Sequence, residues 1–178
     1  MRTLSNESGF TLTELLIVLV IIVLLLSIAT LVFVDWNTKY NVESEIKGLY
    51  ADIMSSRAGA LTRNRMHFFQ IGAAGTSYTV IADTDPAAFG DGNANTGNDT
   101  VIMTKNLAYP LTSSIGIPVS INFDSRGIIA SFNPGETEVI CVNSNANPDY
   151  NCLVVSQSRV SMGKLLGGGC AVINCIAK

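Results

Sequence analysis

Twenty consecutive residues near the N-terminus, Leu15 to Val34, contain only two polar side chains, Ser27 and Thr30. As a helix rising about 1.5 Å per residue, such a run spans roughly 30 Å, the hydrocarbon thickness of a bilayer. No other feature of the chain constrains its fold as strongly. One ionisable side chain, Glu14, stands at the edge of the run. A carboxylate there costs on the order of 2–3 kcal/mol unless it is partnered, which marks it as functional. The plainer alternative places Glu14 at headgroup level with no role.

The residues in front of the run are short and polar: Met1 to Gly9 read MRTLSNESG. A secretory signal places its apolar core first and a small-residue cleavage site after it. Here Gly9 precedes the core, and no Ala-x-Ala pattern follows Val34. Gly9 followed by Phe10-Thr11-Leu12-Thr13-Glu14-Leu15-Leu16-Ile17-Val18 resembles the class III signal of type IV prepilins and type II secretion pseudopilins. The resemblance implies that a prepilin peptidase cuts between Gly9 and Phe10 and then methylates the new amine of Phe10. It also gives Glu14 a task, which is to neutralise the terminal amine of a neighbouring subunit inside a helical filament. Two desolvated charges of opposite sign are tolerated together, and losing one strands the other.

The same resemblance implies a single-pass inner-membrane protein with a cytoplasmic N-terminus and a periplasmic or extracytoplasmic domain. Its expected partners are the prepilin peptidase, other pilins or pseudopilins and the inner-membrane assembly platform. Many relatives carry a Gly and a Pro within the span, where this chain has Val23 and Leu31. That departure favours a span that stays helical.

The chain has 178 residues. Without the leader and the span, about 140 remain, enough for one domain with one core. The expected division is a cleaved leader at 1–9, a transmembrane and assembly helix at 10–34, an amphipathic continuation at 35–65 and an exported β-rich domain at 66–178. In the continuation, Trp36, Tyr40, Ile46, Leu49, Tyr50, Ile53, Met54, Ala60 and Leu61 recur at spacings of three and four. Such a stripe packs a helix against a domain. No Pro interrupts residues 10 to 64, so one helix of some 80 Å is expected.

Beyond Arg65 the pattern predicts strands at Met66–Ile71, Ser77–Ala82, Thr100–Thr104, Val119–Phe123, Gly127–Phe132, Thr137–Val142 and Cys152–Val160. Asp124-Ser125-Arg126-Gly127 reads as a hairpin turn. The predicted fold is α+β, a long N-terminal helix laid on an antiparallel sheet.

Three further stretches are similar to landmarks of GspH/FimT pseudopilins. Ser55 to Arg65 resembles the "AR-x-x-A-x-x-R-N" end of the long helix. Tyr78 to Asp83 resembles a strand ending in Asp, and Ile121 to Gly127 resembles a "F-D-x-x-G" hairpin. Arg57, Arg63 and Arg65 are read as a solvated helix end that complements the helix dipole.

Four cysteines, Cys141, Cys152, Cys170 and Cys175, fall in the last forty residues, beyond the membrane and in an oxidising space. Three pairings are open. The expected one is sequential, with Cys141–Cys152 across a polar loop and Cys170–Cys175 near the C-terminus, behind a flexible Gly167-Gly168-Gly169 link. A four-thiolate metal site is disfavoured because no Cys-x-x-Cys spacing occurs.

Asp91, Asn93 and Asn95 alternate as calcium ligands do, yet Thr96 and Ile102 stand where an EF-hand has Gly and Glu. A solvated turn-rich loop is the expected reading. His67, the only histidine, is expected on a strand surface.

The formal net charge of −3 offers no global attraction to nucleic acid. Some FimT-type proteins bind DNA through a "G-R-x-R" motif, matched here by Ser158-Arg159-Val160-Ser161 with a single Arg. Arg159 and Lys164 are therefore a thin DNA-binding candidate for a role in DNA uptake. No nucleophile–base pair and no cofactor motif stands out, so a structural subunit is expected rather than an enzyme. The predicted role is a minor pseudopilin or minor pilin that starts assembly of a type II secretion pseudopilus or a type IV pilus.

Overall fold

The computed structural model of the chain describes residues 9–85, 90–95, 97–142, 144 and 146–178, and of residues 28–32 the backbone alone. The leader expected at 1–9 therefore lies outside the described residues, apart from Gly9. The chain divides into two compact units, Met1–Thr38 and Lys39–Lys178.

Helix α1 covers Leu12–Arg63. Its start is a capping box built by Thr11-Leu12-Thr13-Glu14. The Thr11 N–H donates to Glu14 Oε2 at 2.9 Å, and the Glu14 N–H donates to Thr11 Oγ1 at 3.3 Å. Its end is a left-handed cap at Asn64, with φ 51°. The Arg65 N–H then closes onto the Ala60 carbonyl at 3.2 Å, the bond expected of a Schellman-type stop.

In the first unit the described apolar side chains of α1, Leu15 to Leu26 with Phe33 and Val34, are all exposed. Hydroxyls are turned back onto the helix: Ser27 Oγ donates to the Leu24 carbonyl at 2.7 Å, and Thr38 Oγ1 to Val34 at 3.0 Å. Those groups satisfy themselves locally and leave an apolar outer surface.

In the second unit, Val42, Ile46, Leu49, Ile53 and Ala60 form a buried stripe at spacings of three, four and seven. Tyr40 and Leu61, expected on the packed face, are exposed, as is Trp36 in the first unit. The stripe begins at Val42, two residues after Tyr40. Glu43 and Glu45 on the same helix accept backbone N–H groups of Asp149, Ala108 and Tyr109 at 2.8–3.2 Å, tying two loops to it.

Among the described residues nine strands follow: β1 (His67–Ile71), β2 (Ser77–Ala82), β3 (Thr100–Asn106), β4 (Leu111–Ser113), β5 (Val119–Phe123), β6 (Thr137–Val142), β7 (Cys152–Ser156), β8 (Val160–Leu165) and β9 (Cys175–Ala177). They form two antiparallel sheets, ordered β3-β2-β1-β5 and β4-β6-β7-β8-β9. The alternation of β1 sends Phe69 and Ile71 to the main core, where Phe69 stacks on Tyr78 with ring centroids 4.7 Å apart. The α+β expectation holds, with two sheets in place of one.

Local differences have local causes. Gly127–Phe132, expected as a strand, contributes one bridge, Phe123 to Ile129, after the Asp124–Gly127 turn. That turn does form, with Gly127 at φ 71° and its N–H on the Asp124 carbonyl at 2.8 Å. The expected Cys152–Val160 run is split by a tight turn in which Ser156 and Arg159 exchange backbone bonds of 2.8 and 3.2 Å. The three-residue strands β4 and β9 are too short for a periodicity to reveal them.

The disulfides correct the sequential expectation. Cys141 bonds Cys170, and Cys152 bonds Cys175, at sequence separations of 29 and 23. Cys141 and Cys152 are direct register partners on β6 and β7, so both project to one face of the sheet. Ile140, Val142, Leu153 and Val155 on the opposite face fill the main core. The cysteine face builds a second apolar cluster with Val139, and Cys170, Leu165 and Cys175 pack on it from the C-terminal segment. Cys141 on β6 is met by Cys170 from the β8–β9 connection, and Cys152 on β7 by Cys175 on β9, the edge strand of the same sheet. Gly163 makes room, because a Cβ there would sit 2.9 Å from Cys175 Sγ and 2.6 Å from the Ile176 carbonyl.

Candidate processing and assembly site

The N-terminal junction is accessible. Gly9 and Phe10 precede the helix in the chain and are exposed, Phe10 at 89%. Thr11 begins the capped turn, so the Gly9–Phe10 bond lies just outside helical structure.

Glu14 is exposed and committed through one oxygen. Its Oε2 accepts both the Thr11 N–H and, at 2.8 Å, the Thr11 hydroxyl. Among the described residues Oε1 has no hydrogen-bond partner. The Thr-x-x-Glu spacing is visible in the sequence and links Glu14 to its own helix start, a role the membrane argument alone does not reveal.

Behind Glu14 the apolar surface is uncovered. The run Leu15 to Val34 is described on either side of residues 28–32, and among the described residues no helix is long and apolar enough to cross a membrane.

The remaining candidates sit in the second unit. In the loop after β2, Asp83 accepts the N–H groups of Asp91 and Gly92 at 3.1 and 2.8 Å. Asp99 accepts those of Thr84, Asp85 and Asn95 at 2.8–3.1 Å. Burial pushes the Asp99 carboxyl up, but its three amide donors together hold it below the usual value. Asp91 and Asn95 turn their side-chain oxygens onto Asn93 and Gly97 N–H groups, at 2.8 and 3.1 Å. The oxygens considered for calcium thus organise their own backbone; residues 86–89 and 96 of this loop lie outside the described residues.

The DNA candidates are not brought together. Arg159 is exposed in the β7–β8 turn, and Lys164 lies five residues along, about 17 Å at strand rise. Lys164 faces Asp149 at 3.8 Å, and Lys178 faces the same carboxylate at 3.6 Å. Arg57 leaves the expected solvated helix end and donates to the Ser158 carbonyl at 3.1 Å.

His67 corrects its expectation. It is buried, in register with Phe69 and Ile71, and neither ring nitrogen has a hydrogen-bond partner. Burial, then the Arg63 guanidinium, hold its pKa below the usual imidazole value. Alternation along β1 signals this placement, since residues two apart share a face. Glu138, on the core face of β6, is also buried; desolvation pushes its carboxyl up against the lowering bond from Ser113.

Two family profiles match the chain. The prokaryotic N-terminal methylation motif matches residues 4–30, and the type II transport protein GspH profile matches residues 45–159. Among solved structures, the type IV minor pilin FimU of Pseudomonas aeruginosa aligns with a TM-score of 0.52 at 12% identity, covering 71% of this chain and 91% of that one. At that identity the likeness speaks to the fold. No curated protein matches the sequence.

Proposed function

The chain belongs to the GspH family of type II transport proteins, and on that premise we propose that it is a minor pseudopilin or minor pilin that starts a filament. In this reading a prepilin peptidase removes residues 1–9 and methylates the Phe10 amine. The uncovered apolar helix then anchors the chain in the inner membrane and later enters a bundle of like helices. The second unit remains on the extracytoplasmic side, where its disulfides persist.

The observation that supports this best is the junction itself. An exposed Gly9–Phe10 bond stands before a capped helix start, and the Glu14 carboxylate keeps one oxygen without a partner. Cleavage would create a cation four residues before that carboxylate. Within one chain Glu14 already serves Thr11, so a second bond suits the amine of a neighbouring subunit. Charge-assisted hydrogen bonds of this kind strengthen as helices exclude water and lipid headgroups.

The test is co-expression with a prepilin peptidase and the assembly proteins, followed by shearing and recovery of filaments. Wild-type chain is expected in the sheared fraction. Glu14→Ala is expected to be cleaved and membrane-bound yet absent from filaments. Recovery of that variant in filaments at the wild-type level would refute the role given to Glu14.

A further inference from the structure

Within the second unit, the last turns of α1 and strands β1 to β3 enclose a cavity of about 100 Å³, the liquid volume of about three waters. Its lining grades from exposed Ser55 and Arg63 to buried Ser56 and His67. Ser56 and His67 are 2% and 1% exposed, and the Ser56 hydroxyl and both imidazole nitrogens lack partners. Buried polar groups are nearly always hydrogen-bonded, so unpaired ones converging on a cavity point to something that fills it.

Sequence and packing both set these groups apart. Ser56 falls on the buried stripe between Ile53 and Ala60, where an apolar side chain would serve packing better. Gly59 lets the helix lie on the imidazole, since a Cβ there would approach His67 Cε1 to 2.4 Å. The small residue and the hydroxyl together keep the space open.

Charge identifies the class of ligand. The one acid in the lining, Asp52, already accepts the Tyr78 hydroxyl, and Lys105 Nζ lies 3.2 Å from the same oxygen. Arg63 has no ion pair or hydrogen bond among the described residues. Two helix carbonyls near the cavity are already engaged, Ala58 by Thr62 Oγ1 at 2.9 Å and Ala60 by the Arg65 N–H at 3.2 Å. What remains is a set of donors: a guanidinium, a hydroxyl and an imidazole that becomes a double donor on protonation.

We propose that this cavity is a carboxylate-binding site, with Arg63 at its mouth and Ser56 and His67 as donors at its floor. Its size admits a carboxylate. The carboxylate is either a small free acid or an Asp or Glu side chain of another chain, and both present the same two oxygens. Binding draws a proton onto His67, whose charged surroundings are Asp52 and Arg63 on α1 and Lys105 on β3, with the Tyr78 hydroxyl on β2.

A single histidine makes the test direct. The full chain in detergent micelles, labelled at His67, is titrated by NMR in acetate, in acetamide and in chloride at matched ionic strength. N-acetylglutamate methylamide stands in for a protein-borne carboxylate. Acetate is expected to raise the His67 titration midpoint saturably by about one pH unit, a tenfold bias toward the protonated ring. Acetamide and chloride should leave it in place. Ser56→Ala and Arg63→Gln, each checked for an unchanged fold, should weaken the acetate effect about tenfold. Saturation by acetate alone marks a small free acid as ligand; saturation by the glutamate analogue as well marks a neighbouring chain. Identical titrations in all four solutes, or an acetate effect undiminished in both variants, would overturn the site and leave a water-filled cavity.

Discussion

Residues 12–38 and 39–63 belong to one helix but treat their apolar side chains in opposite ways. In the first stretch the described leucine, isoleucine and valine side chains are all exposed. In the second, five apolar residues form one stripe flanked by charged, polar and partly buried aromatic residues, and the stripe is buried by the chain's own sheets. The second unit is complete in itself: two cores, two disulfides and loops tied down by Glu43, Glu45, Asp83 and Asp99. The first unit leaves its described apolar side chains exposed; under the proposed function, that surface and the half-used Glu14 carboxylate are where it meets lipid or other subunits.

If that contrast is right, substitutions in the two units should fail in different assays. The largest effect belongs to Glu14→Ala. Removing one member of a desolvated charge pair costs about 3–5 kcal/mol, which lowers filament incorporation by more than about a hundredfold. Thermal unfolding of the second unit should not change; a shifted melting temperature would show that the units are not independent.

Next come the disulfides, whose loss should act on the second unit alone. The chain-entropy model gives roughly 3–4 kcal/mol for closing loops of these lengths. Cys141→Ala/Cys170→Ala should therefore lower denaturant stability by about that amount while leaving Gly9–Phe10 cleavage intact. A non-reduced digest of the wild type should yield Cys141–Cys170 and Cys152–Cys175 peptides. A Cys141–Cys152 peptide would contradict the covered-sheet arrangement.

A smaller effect tests the seam between helix and sheet. Gly59→Ala gains about 1 kcal/mol of helix propensity but drives a methyl into the His67 ring, and overpacking costs about 1–3 kcal/mol. Net destabilisation of about 1 kcal/mol is expected by urea unfolding, and stabilisation would refute the close approach.

The smallest is a pH effect. Because His67 has a folded pKa below its unfolded one, the unfolded chain takes up the proton first. Its contribution is complete above about pH 6.5 and shrinks as pH falls below that value toward the folded pKa. Glu138, raised in the folded state, acts in the opposite sense as pH falls. The His67 part is therefore the difference between wild type and His67→Leu, and it should lower wild-type stability relative to the variant on acidification. A pH-independent difference would contradict a neutral buried imidazole.

Much of this was legible in the sequence because its signals are local. The apolar run, the uninterrupted helix to Arg63, the strands at Ser77–Ala82, Val119–Phe123 and Thr137–Val142, and the Asp124–Gly127 turn all rest on period and turn chemistry. The disulfide pairing was not legible, since it depends on which face of β6 and β7 the C-terminal segment covers. Loop composition around Cys141 and Cys152 suggests a cross-strand bond, and only the second core shows why each cysteine needs a partner from elsewhere. His67 and Ser56 were half legible. Alternation along β1 and the stripe on α1 place both inward, but a lone polar residue on an apolar face is easily read as surface. The Thr11–Glu14 box was open to view and was obscured by the stronger membrane signal beside it.

The central claim, that this chain is processed to expose a cationic Phe10 opposite Glu14, has one direct measurement. Intact mass spectrometry of the protein recovered from membranes of cells that express a prepilin peptidase should give residues 10–178 plus one methyl group, with both disulfides formed. The full 178-residue mass, or a cut at any bond other than Gly9–Phe10, would contradict the account.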